Sequence, residues 1–225
     1  MAIHYIYFMN NTPKPEGPKQ PIKSLNATLT EEQKEAKQLI YNNKVTVLYG
    51  KAGTSKSFVA VNAALDMLLK KQVERIIIIR PTVTSENIGF LPGDVKEKMI
   101  HYFIPILQNM NDLVKKEKVE ELLKKEAIQI LPLAFIQGVT INDVAIADEA
   151  QNMTVQQMKL LLTRVGRHGK LILTGDTDQV LLPPKEKSGF DKLLTLEGKL
   201  SNFSTFELKQ NYRDPFVQQI LEHYK

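Results

Sequence analysis

The stretch Gly50–Ser57, GKAGTSKS, constrains the fold of this chain more than any other feature. It follows an apolar run of β type, Val45–Tyr49, and it opens a segment with helical patterning that begins near Lys56. A loop between a buried strand and a helix N-terminus points several backbone N–H groups at one place, and the helix dipole adds about half a positive charge there. The stretch therefore predicts a site for a phosphate group.

The residue types in this loop suit the parts of a nucleoside triphosphate. Lys56 can reach β- and γ-phosphate oxygens, and the Ser57 hydroxyl can complete the ligand shell of a Mg²⁺ ion. The pattern G-x-x-x-x-G-K-[ST] asks for glycine where this chain has Ser55, and glycine allows the closest backbone approach to phosphate. A strand-to-helix turn with an incidental Lys-Ser pair is the alternative. The candidate nucleotide contacts are Gly50, Lys51, Ala52, Gly53, Thr54, Ser55, Lys56 and Ser57.

A second informative stretch, DVAIADEAQ, runs from Asp143 to Gln151. Its apolar strand pattern ends in two adjacent carboxylates, Asp148 and Glu149. Successive strand residues face opposite ways, but both carboxylates can reach the ligand side where the backbone turns at the end of the strand. We expect Asp148 to hold Mg²⁺ and Glu149 to accept a proton from the water that attacks the γ-phosphate, or to orient that water. A solvated Asp-Glu pair at a strand end is the alternative.

A third strand pattern, KLILTGD, ends at Asp176 and leads into the sequence TDQ. If this strand lies beside the two described above, Asp176 and Gln179 fall next to the paired carboxylates. A glutamine in that position can bond the γ-phosphate or the attacking water. The alternative for Gln179 is simple turn chemistry that starts from Gly175 and Asp176.

The first helix signal is Thr30-Glu-Glu-Gln33, which precedes KEAKQLIYNN. Thr30 can accept from the backbone N–H of Gln33 while the Gln33 side chain bonds back, which is a capping box. A glutamine on a helix just before a phosphate loop is also well placed to bond the N6 and N7 edge of adenine. Both interpretations of Gln33 remain open, and they can hold in different states.

The run RIIIIR, which ends at Arg80, predicts a fully buried parallel strand. Pro81 ends it, and a long loop with turn residues follows. Loops after the carboxyl ends of parallel strands are where such sheets bind ligands. We therefore consider four residues as contacts to a polynucleotide backbone, with local carbonyl bonding as the alternative for the first: Arg80, Thr82, Thr84 and Lys96.

The composition of the chain narrows its class. With 225 residues, no cysteine and four histidines, it has neither disulfides nor a thiolate metal site, and the scattered histidines suggest no zinc site. No apolar run approaches the roughly 20 residues that cross a bilayer, and the N-terminus lacks the features of a secretory signal, so we expect a cytoplasmic protein without membrane contact. The net charge of +5 mildly favours an anionic partner. The pattern of residues 1–27 predicts an arm followed by a Pro- and Lys-rich linker.

The ordered motifs from residue 28 onward resemble those of the PhoH family of P-loop ATPases. They are Gln33, GKAGTSKS, IIIIRP, GFLPGD, PLAFIQGVT, DEAQN, LLTRVG, LTGDTDQ and SGF. Domains of this family in turn resemble the first RecA-like domain of superfamily 1 helicases, and LKQNYRDP is similar to a helicase motif that contacts ATP. That likeness makes Tyr212 a platform for adenine and Arg213 an arginine finger.

The resemblance implies a three-layer α/β fold for residues 28–225, a RecA-like P-loop domain with a mainly parallel sheet. It implies binding of ATP and ADP and Mg²⁺-dependent hydrolysis, with Lys56, Glu149, Gln179 and Arg213 as catalytic residues. It further implies a helicase-like motor on single-stranded nucleic acid, RNA rather than DNA, and a homo-oligomeric ring such as a hexamer. A nucleotide-gated binding or assembly module with little hydrolysis is the alternative that Ser55 favours. A small-molecule kinase is less consistent with DEAQ and TGDTDQ, which suit the activation of water.

Overall fold

A computed structural model describes residue 25 and residues 27–81, 103–183 and 185–223. The expected nucleic-acid contacts Thr82, Thr84 and Lys96 lie outside these residues, as does nearly all of the expected arm and linker. The boundary at residue 28 and the extent of the domain therefore stay predictions.

One sheet of parallel strands forms the centre of the described fold. Its strand order is β3-β2-β4-β5-β1-β6, and every neighbouring pair runs parallel. The strands are β1 (Val45–Tyr49), β2 (Ile76–Arg80), β3 (Ile128–Pro132), β4 (Val144–Ala147), β5 (Lys170–Gly175) and β6 (Phe203–Glu207).

Helices follow most of the strands in sequence. They are α1 (Glu31–Asn42), α2 (Lys56–Leu69), α3 (Ile104–Leu113), α4 (Lys116–Lys124), α5 (Val155–Leu162), α6 (Phe190–Leu194) and α7 (Pro215–His223). Two short 3₁₀ turns, Leu133–Phe135 and Ala150–Asn152, follow β3 and β4. Among the described helices, none combines the length and the apolar character that crossing a membrane requires.

The run of four isoleucines in β2 shows how the sheet is covered on both faces. Ile76 and Ile78 belong to a core shared with α1, α2, α3 and α4, whereas Ile77 and Ile79 belong to a second core with α5 and α6. All four side chains are buried, which explains why this strand shows no alternation of apolar and polar residues. The three-layer α/β fold and the parallel sheet predicted from the sequence are confirmed.

One helix boundary differs from the sequence-based expectation. The pattern predicts a helix over residues 96–110 with a kink at Pro105, and then a charged helix over residues 112–127; residues 96–102 of the first helix lie outside the described part of the chain. In the structure Pro105 lies in the first turn of α3, where its missing N–H breaks no helical hydrogen bond. The chain instead leaves helical geometry at Val114, whose φ of −140° and ψ of 160° are extended.

The carboxyl ends of β1, β4 and β5 meet at the same edge of the sheet. In register, Tyr49 lies opposite Gly175, and Ala147 lies opposite Leu173. The strands expected to be neighbours are therefore neighbours, with β5 between the other two. This order brings the three polar loops that follow these strands to one place.

The side chain of Lys170 joins the start of β5 to the end of α1. Its Nζ donates to three carbonyls: Ile40 O at 3.2 Å, Tyr41 O at 2.8 Å and Asn43 O at 2.7 Å. The last carbonyls of a helix have no partner within the helix, and a cation there also interacts favourably with the helix dipole. Lys170 therefore holds the helix that carries Gln33 against the sheet.

We expect Lys170→Met to lower the free energy of unfolding by about 1–3 kcal/mol, because it leaves half-buried carbonyls without a donor. The midpoint of urea denaturation measures the effect. Lys44→Met is the matched control. Within the described residues the Lys44 side chain makes one long hydrogen bond, 3.4 Å to Arg167 O, so its replacement should cost less than about 0.5 kcal/mol. Equal midpoints for the two variants would show that the three contacts of Lys170 add nothing.

Candidate nucleotide-binding site

A cavity of about 250 Å³ lies at the carboxyl edge of the sheet. It is formed by the loop between β1 and α2, by the ends of β4 and β5, and by single residues from α3 and from the segment before α7. Its lining residues are Ala52, Gly53, Ser55, Lys56, Ser57, Phe58, Asn109, Asp148, Glu149, Thr174, Gly175, Asp176, Gln179 and Arg213. Four motifs that are far apart in the sequence therefore meet around one space.

The loop between β1 and α2, residues 50–55, has a backbone that suits a close approach to an anion. Gly53 has a φ of 87°, and a Cβ there would lie 2.6 Å from Arg213 Cγ, so a larger residue would clash. The segment before α7 supports the loop, because Tyr212 N donates to Gly53 O at 2.9 Å and Asn211 Nδ2 donates to Ala52 O at 3.3 Å. Thr54 is buried, and its side-chain Oγ1 donates to Lys51 O at 2.8 Å.

The ammonium group of Lys56 lies inside this loop. Its Nζ donates to Gly50 O at 2.7 Å and to Lys51 O at 2.8 Å. Burial lowers the pKa of Lys56 below its usual value, and nearby carboxylates, above all Asp176, partly offset that effect. A desolvated ammonium held by two carbonyls is poised to bind a phosphate oxygen that enters the cavity.

Asp148 and Ser57 form a candidate site for Mg²⁺. Ser57 Oγ donates to Asp148 Oδ1 at 2.7 Å, and Thr174 Oγ1 donates to the same oxygen at 2.6 Å. Mg²⁺ in nucleotide sites takes one or two protein oxygens and completes its shell with phosphates and water. The two oxygens of Ser57 and Asp148 fit that requirement. In the described part of the chain no group of three His, Cys, Asp or Glu residues forms a denser metal site.

Glu149 reaches the cavity because its backbone has an unusual conformation. Its φ of 55° and ψ of 37° are left-handed, which is costly for a residue other than glycine and is often found at functional sites. The turn explains how two successive strand-end carboxylates can reach the same cavity. Glu149 Oε1 lies 3.2 Å from an Arg80 guanidinium nitrogen, and Oε2 accepts from Gln151 Nε2 at 2.7 Å.

Gln151 joins this acidic turn to the loop after β5. The side chain is buried, and its Oε1 accepts from Asp176 N at 3.2 Å while Nε2 also reaches Gln179 O at 3.3 Å. Asp176 and Gln179 both line the cavity. The expected turn chemistry is present as well, since Asp178 N donates to Asp176 Oδ1 at 3.0 Å. Gln179 therefore both takes part in the turn and lines the cavity.

Ser55 and Gln33 contact each other beside the phosphate loop. Ser55 has a φ of 65°, the left-handed region where the motif has glycine, and its Oγ accepts from Gln33 Nε2 at 2.9 Å. The capping box of α1 is present, because Thr30 and Gln33 bond each other's backbone N–H groups. The capping interpretation of Gln33 is confirmed. A contact between Gln33 and adenine stays a prediction.

Tyr212 and Arg213 are adjacent in sequence but have different surroundings. Tyr212 is exposed, and its OH is 3.0 Å from Thr30 Oγ1, so the expected adenine platform lies near Gln33. The side chain of Arg213 lines the cavity, and its charge contributes to lowering the pKa of Lys56. The structure thus gathers the expected phosphate and base contacts around one loop.

Arg80 makes ion pairs that neither interpretation of its sequence position named. Its side chain is 14% exposed and forms ion pairs with Asp148, from Nε to Oδ2 at 3.1 Å, and with Glu149. A contact between Arg80 and a polynucleotide stays a prediction. Sequence reasoning also left Gln151, Thr174 and Asn109 without a role. Gln151 and Thr174 stand in the motifs DEAQN and LTGD, but nothing in the sequence points to Asn109.

The family model described as PhoH-like protein matches residues 26–225 of this chain. A PhoH-like protein of Bacillus subtilis is 38% identical over 196 residues, which are 85% of this chain and 61% of the relative. Protein PhoH of Escherichia coli K12 is 35% identical over 196 residues, 84% of this chain and 54% of the relative. The chain thus spans a little over half the length of these curated relatives.

Among solved structures, the large terminase of a thermophilic bacteriophage aligns with a TM-score of 0.56. The sequences are 12% identical, and the alignment covers 88% of this chain and 51% of the terminase. At that identity the likeness concerns the fold alone, which is the RecA-like P-loop arrangement described above. The family match and the identity to the named relatives both show that this chain belongs to the PhoH family.

Proposed function

We propose that this chain binds ATP with Mg²⁺ and hydrolyses it, and that hydrolysis drives movement on or remodelling of single-stranded nucleic acid, with RNA favoured over DNA. One observation carries the proposal. Lys56, the Ser57–Asp148 pair and Glu149 line a single cavity of about 250 Å³, and these are the groups that bind phosphates, hold Mg²⁺ and activate water.

The phosphate loop would bind the triphosphate. Backbone N–H groups of residues 50–57 and the start of α2 would bond its oxygens, and the Lys56 ammonium would exchange two carbonyl contacts for charged phosphate oxygens. Ser57 and Asp148 would hold Mg²⁺, which would supply positive charge against the phosphate oxygens of the nucleotide. Catalysis would consist mainly of positioning and of stabilising negative charge.

The opposite wall of the cavity would handle the attacking water. Glu149 would accept a proton from that water or orient the water, and Gln179 would bond the water or the γ-phosphate. Arg213 reaches the same cavity from its own chain and would stabilise the charge that develops on the transferred phosphoryl group. Gln33 and Tyr212, which meet through Thr30, would bind the adenine.

The nucleic-acid part of the proposal rests on the net charge of +5 and on the helicase-like motif set. Arg80, Thr82, Thr84 and Lys96 are the proposed contacts. Assembly into a homo-oligomeric ring belongs to the same proposal, because a neighbouring subunit would close the nucleotide cavity. Sedimentation velocity with and without ATP and Mg²⁺ tests it, and a monomer at micromolar concentration under both conditions would refute the ring.

Steady-state ATP hydrolysis with Mg²⁺ tests the central proposal. The assay is run without polymer, with single-stranded RNA and with single-stranded DNA of the same sequence. We expect turnover that one polymer, RNA, stimulates. Turnover that neither polymer changes would refute coupling to nucleic acid, and an absence of phosphate release would refute the hydrolase.

A nucleotide-gated binding module with little hydrolysis is the second candidate, and Ser55 is the feature that favours it. The left-handed Ser55 carries a Cβ where the motif has glycine, which holds the backbone farther from a phosphate. If Ser55 limits the site, Ser55→Gly should tighten ATP binding by about three- to tenfold, up to 1.4 kcal/mol, and raise turnover. Equilibrium binding and phosphate release measure the two effects.

Ser201→Gly is the control for that comparison, because Ser201 is exposed in a turn before β6. It makes the same change of side chain away from the cavity. Unchanged binding and turnover in Ser55→Gly would show that Ser55 does not limit the site. Slow hydrolysis would then need another cause.

A further inference from the structure

Arg80 and Arg75 lie at opposite ends of β2, and each forms an ion pair with an aspartate at the same end of β4. At the amino end, Arg75 Nε lies 3.2 Å from Asp143 Oδ2. At the carboxyl end, Arg80 Nε lies 3.1 Å from Asp148 Oδ2. The two pairs are chemically alike, but only the second includes a residue that lines the cavity, Asp148.

The Arg80 pair is the more buried of the two, and it extends to a second carboxylate. The Arg80 side chain is 14% exposed, against 49% for Arg75. One Arg80 guanidinium nitrogen also lies 3.2 Å from Glu149 Oε1. One guanidinium therefore links the two carboxylates, by a hydrogen bond to Glu149 and by an ion pair without hydrogen-bond geometry to Asp148.

The contacts of Arg80 are made to the groups that the proposed reaction needs. Asp148 Oδ1 already accepts from Ser57 and Thr174, and Oδ2 lies against Arg80. Glu149 has Arg80 at one oxygen and Gln151 at the other. In this arrangement the two carboxylates share one cation from the protein itself.

A divalent cation next to Ser57 and Asp148 would lie close to the Arg80 guanidinium. Two positive groups near one carboxylate repel each other, and the repulsion is strong where solvent is largely excluded. A cation held there would therefore compete with Arg80 for Asp148, and Arg80 would loosen its hold on the acidic pair.

We propose that Arg80 is a positioning residue that holds Asp148 and Glu149 in a resting arrangement, by supplying the positive charge that the Mg²⁺–nucleotide complex later replaces. This inference rests on the proposed function. It explains why a strand-end arginine lies against the acidic pair, and it makes release of Glu149 a consequence of loading the site.

The test is a Mg²⁺ titration of the binding of a fluorescent ADP analogue to wild type, Arg80→Gln and Arg75→Gln. Removing the competing charge should lower the Mg²⁺ concentration for half-maximal binding on the order of tenfold in Arg80→Gln. Arg75→Gln, the matched control, should match the wild type. A merely structural role gives the opposite sign, since damage to the site weakens binding and raises that concentration.

An unchanged or raised Mg²⁺ requirement in folded Arg80→Gln overturns the inference while leaving the proposed function intact. Wild type that binds no nucleotide, or binds it without response to Mg²⁺, refutes the proposed function and the inference with it. Asp148 keeps its two hydroxyl donors in Arg80→Gln, which favours folding, and circular dichroism checks it.

A measurement on the wild type decides the question if Arg80→Gln does not fold. In a crystal structure of the full chain with Mg²⁺ and a non-hydrolysable ATP analogue, the distance from Arg80 Nε to Asp148 Oδ2 should exceed the present 3.1 Å by an ångström or more. An ion pair that persists at the same distance beside bound Mg²⁺ overturns the inference.

Discussion

Lys56→Ala is expected to abolish tight nucleotide binding. The Lys56 ammonium lies within the phosphate loop, held by Gly50 O at 2.7 Å and Lys51 O at 2.8 Å, and burial lowers its pKa. Charged hydrogen bonds to phosphate are about twice as strong as neutral ones. Loss of the cation should weaken ATP binding by a factor on the order of 100, or about 2.7 kcal/mol, as titration calorimetry with Mg²⁺–ATP can measure.

The substitution also leaves the carbonyls of the loop without a donor, so stability has to be followed in parallel. Lys124→Ala removes the same charge from an exposed position on α4 and should leave ATP affinity unchanged. Thermal unfolding of both variants shows whether a loss of ATP affinity in Lys56→Ala comes from a destabilised loop or from the lost contact to phosphate. Affinity retained in a folded Lys56→Ala protein would contradict the assignment of this loop to phosphate.

Features of the fold that depend on neighbours in sequence could be predicted from the sequence. The phosphate loop lies between β1 and α2 as expected, because an apolar strand, glycines and a helix start occur in direct succession. The Thr30–Gln33 capping box is likewise a contact across three residues. That the three strands around the cavity are neighbours could only be assumed from the sequence, and the structure shows that they are.

Contacts made across strands could not be predicted in the same way. Arg80 follows an apolar run and precedes a proline, which indicates a strand end but gives no partner for the side chain. Its contact with Asp148 and Glu149 depends on the pairing of β2 with β4. Gln151 is a similar case, because its link to Asp176 exists only once β4 and β5 are neighbours.

Backbone conformation is the other property that the sequence concealed. Ser55 and Glu149, on two loops of the cavity, have φ values of 65° and 55°. Such conformations cost on the order of 1–3 kcal/mol each for residues other than glycine and collect at functional sites. A sequence pattern identifies the missing glycine at position 55. The end of the strand pattern before DEAQ predicts that the backbone turns there, but nothing in DEAQ indicates that Glu149 takes the left-handed conformation by which it turns.

Glu149→Gln is expected to leave nucleotide binding nearly intact and to reduce turnover by a factor of about 10²–10⁴, the usual contribution of a positioned base. Glutamine has the same shape but cannot accept a proton from the attacking water. The Glu149 side chain is 43% exposed and lines the cavity, so it can reach water beside the γ-phosphate. Single-turnover hydrolysis and ATP binding, measured on one preparation, separate the two effects.

Glu117→Gln is the matched control, because Glu117 is exposed in the first turn of α4, away from the cavity, and its neutralisation should leave both quantities unchanged. Loss of binding together with turnover would mean that Glu149 mainly maintains the site, through Arg80 and Gln151. Full turnover in Glu149→Gln would refute its role as base. Since both carboxylates share the Arg80 contact, only the combination of retained binding and lost turnover assigns the proton transfer to Glu149.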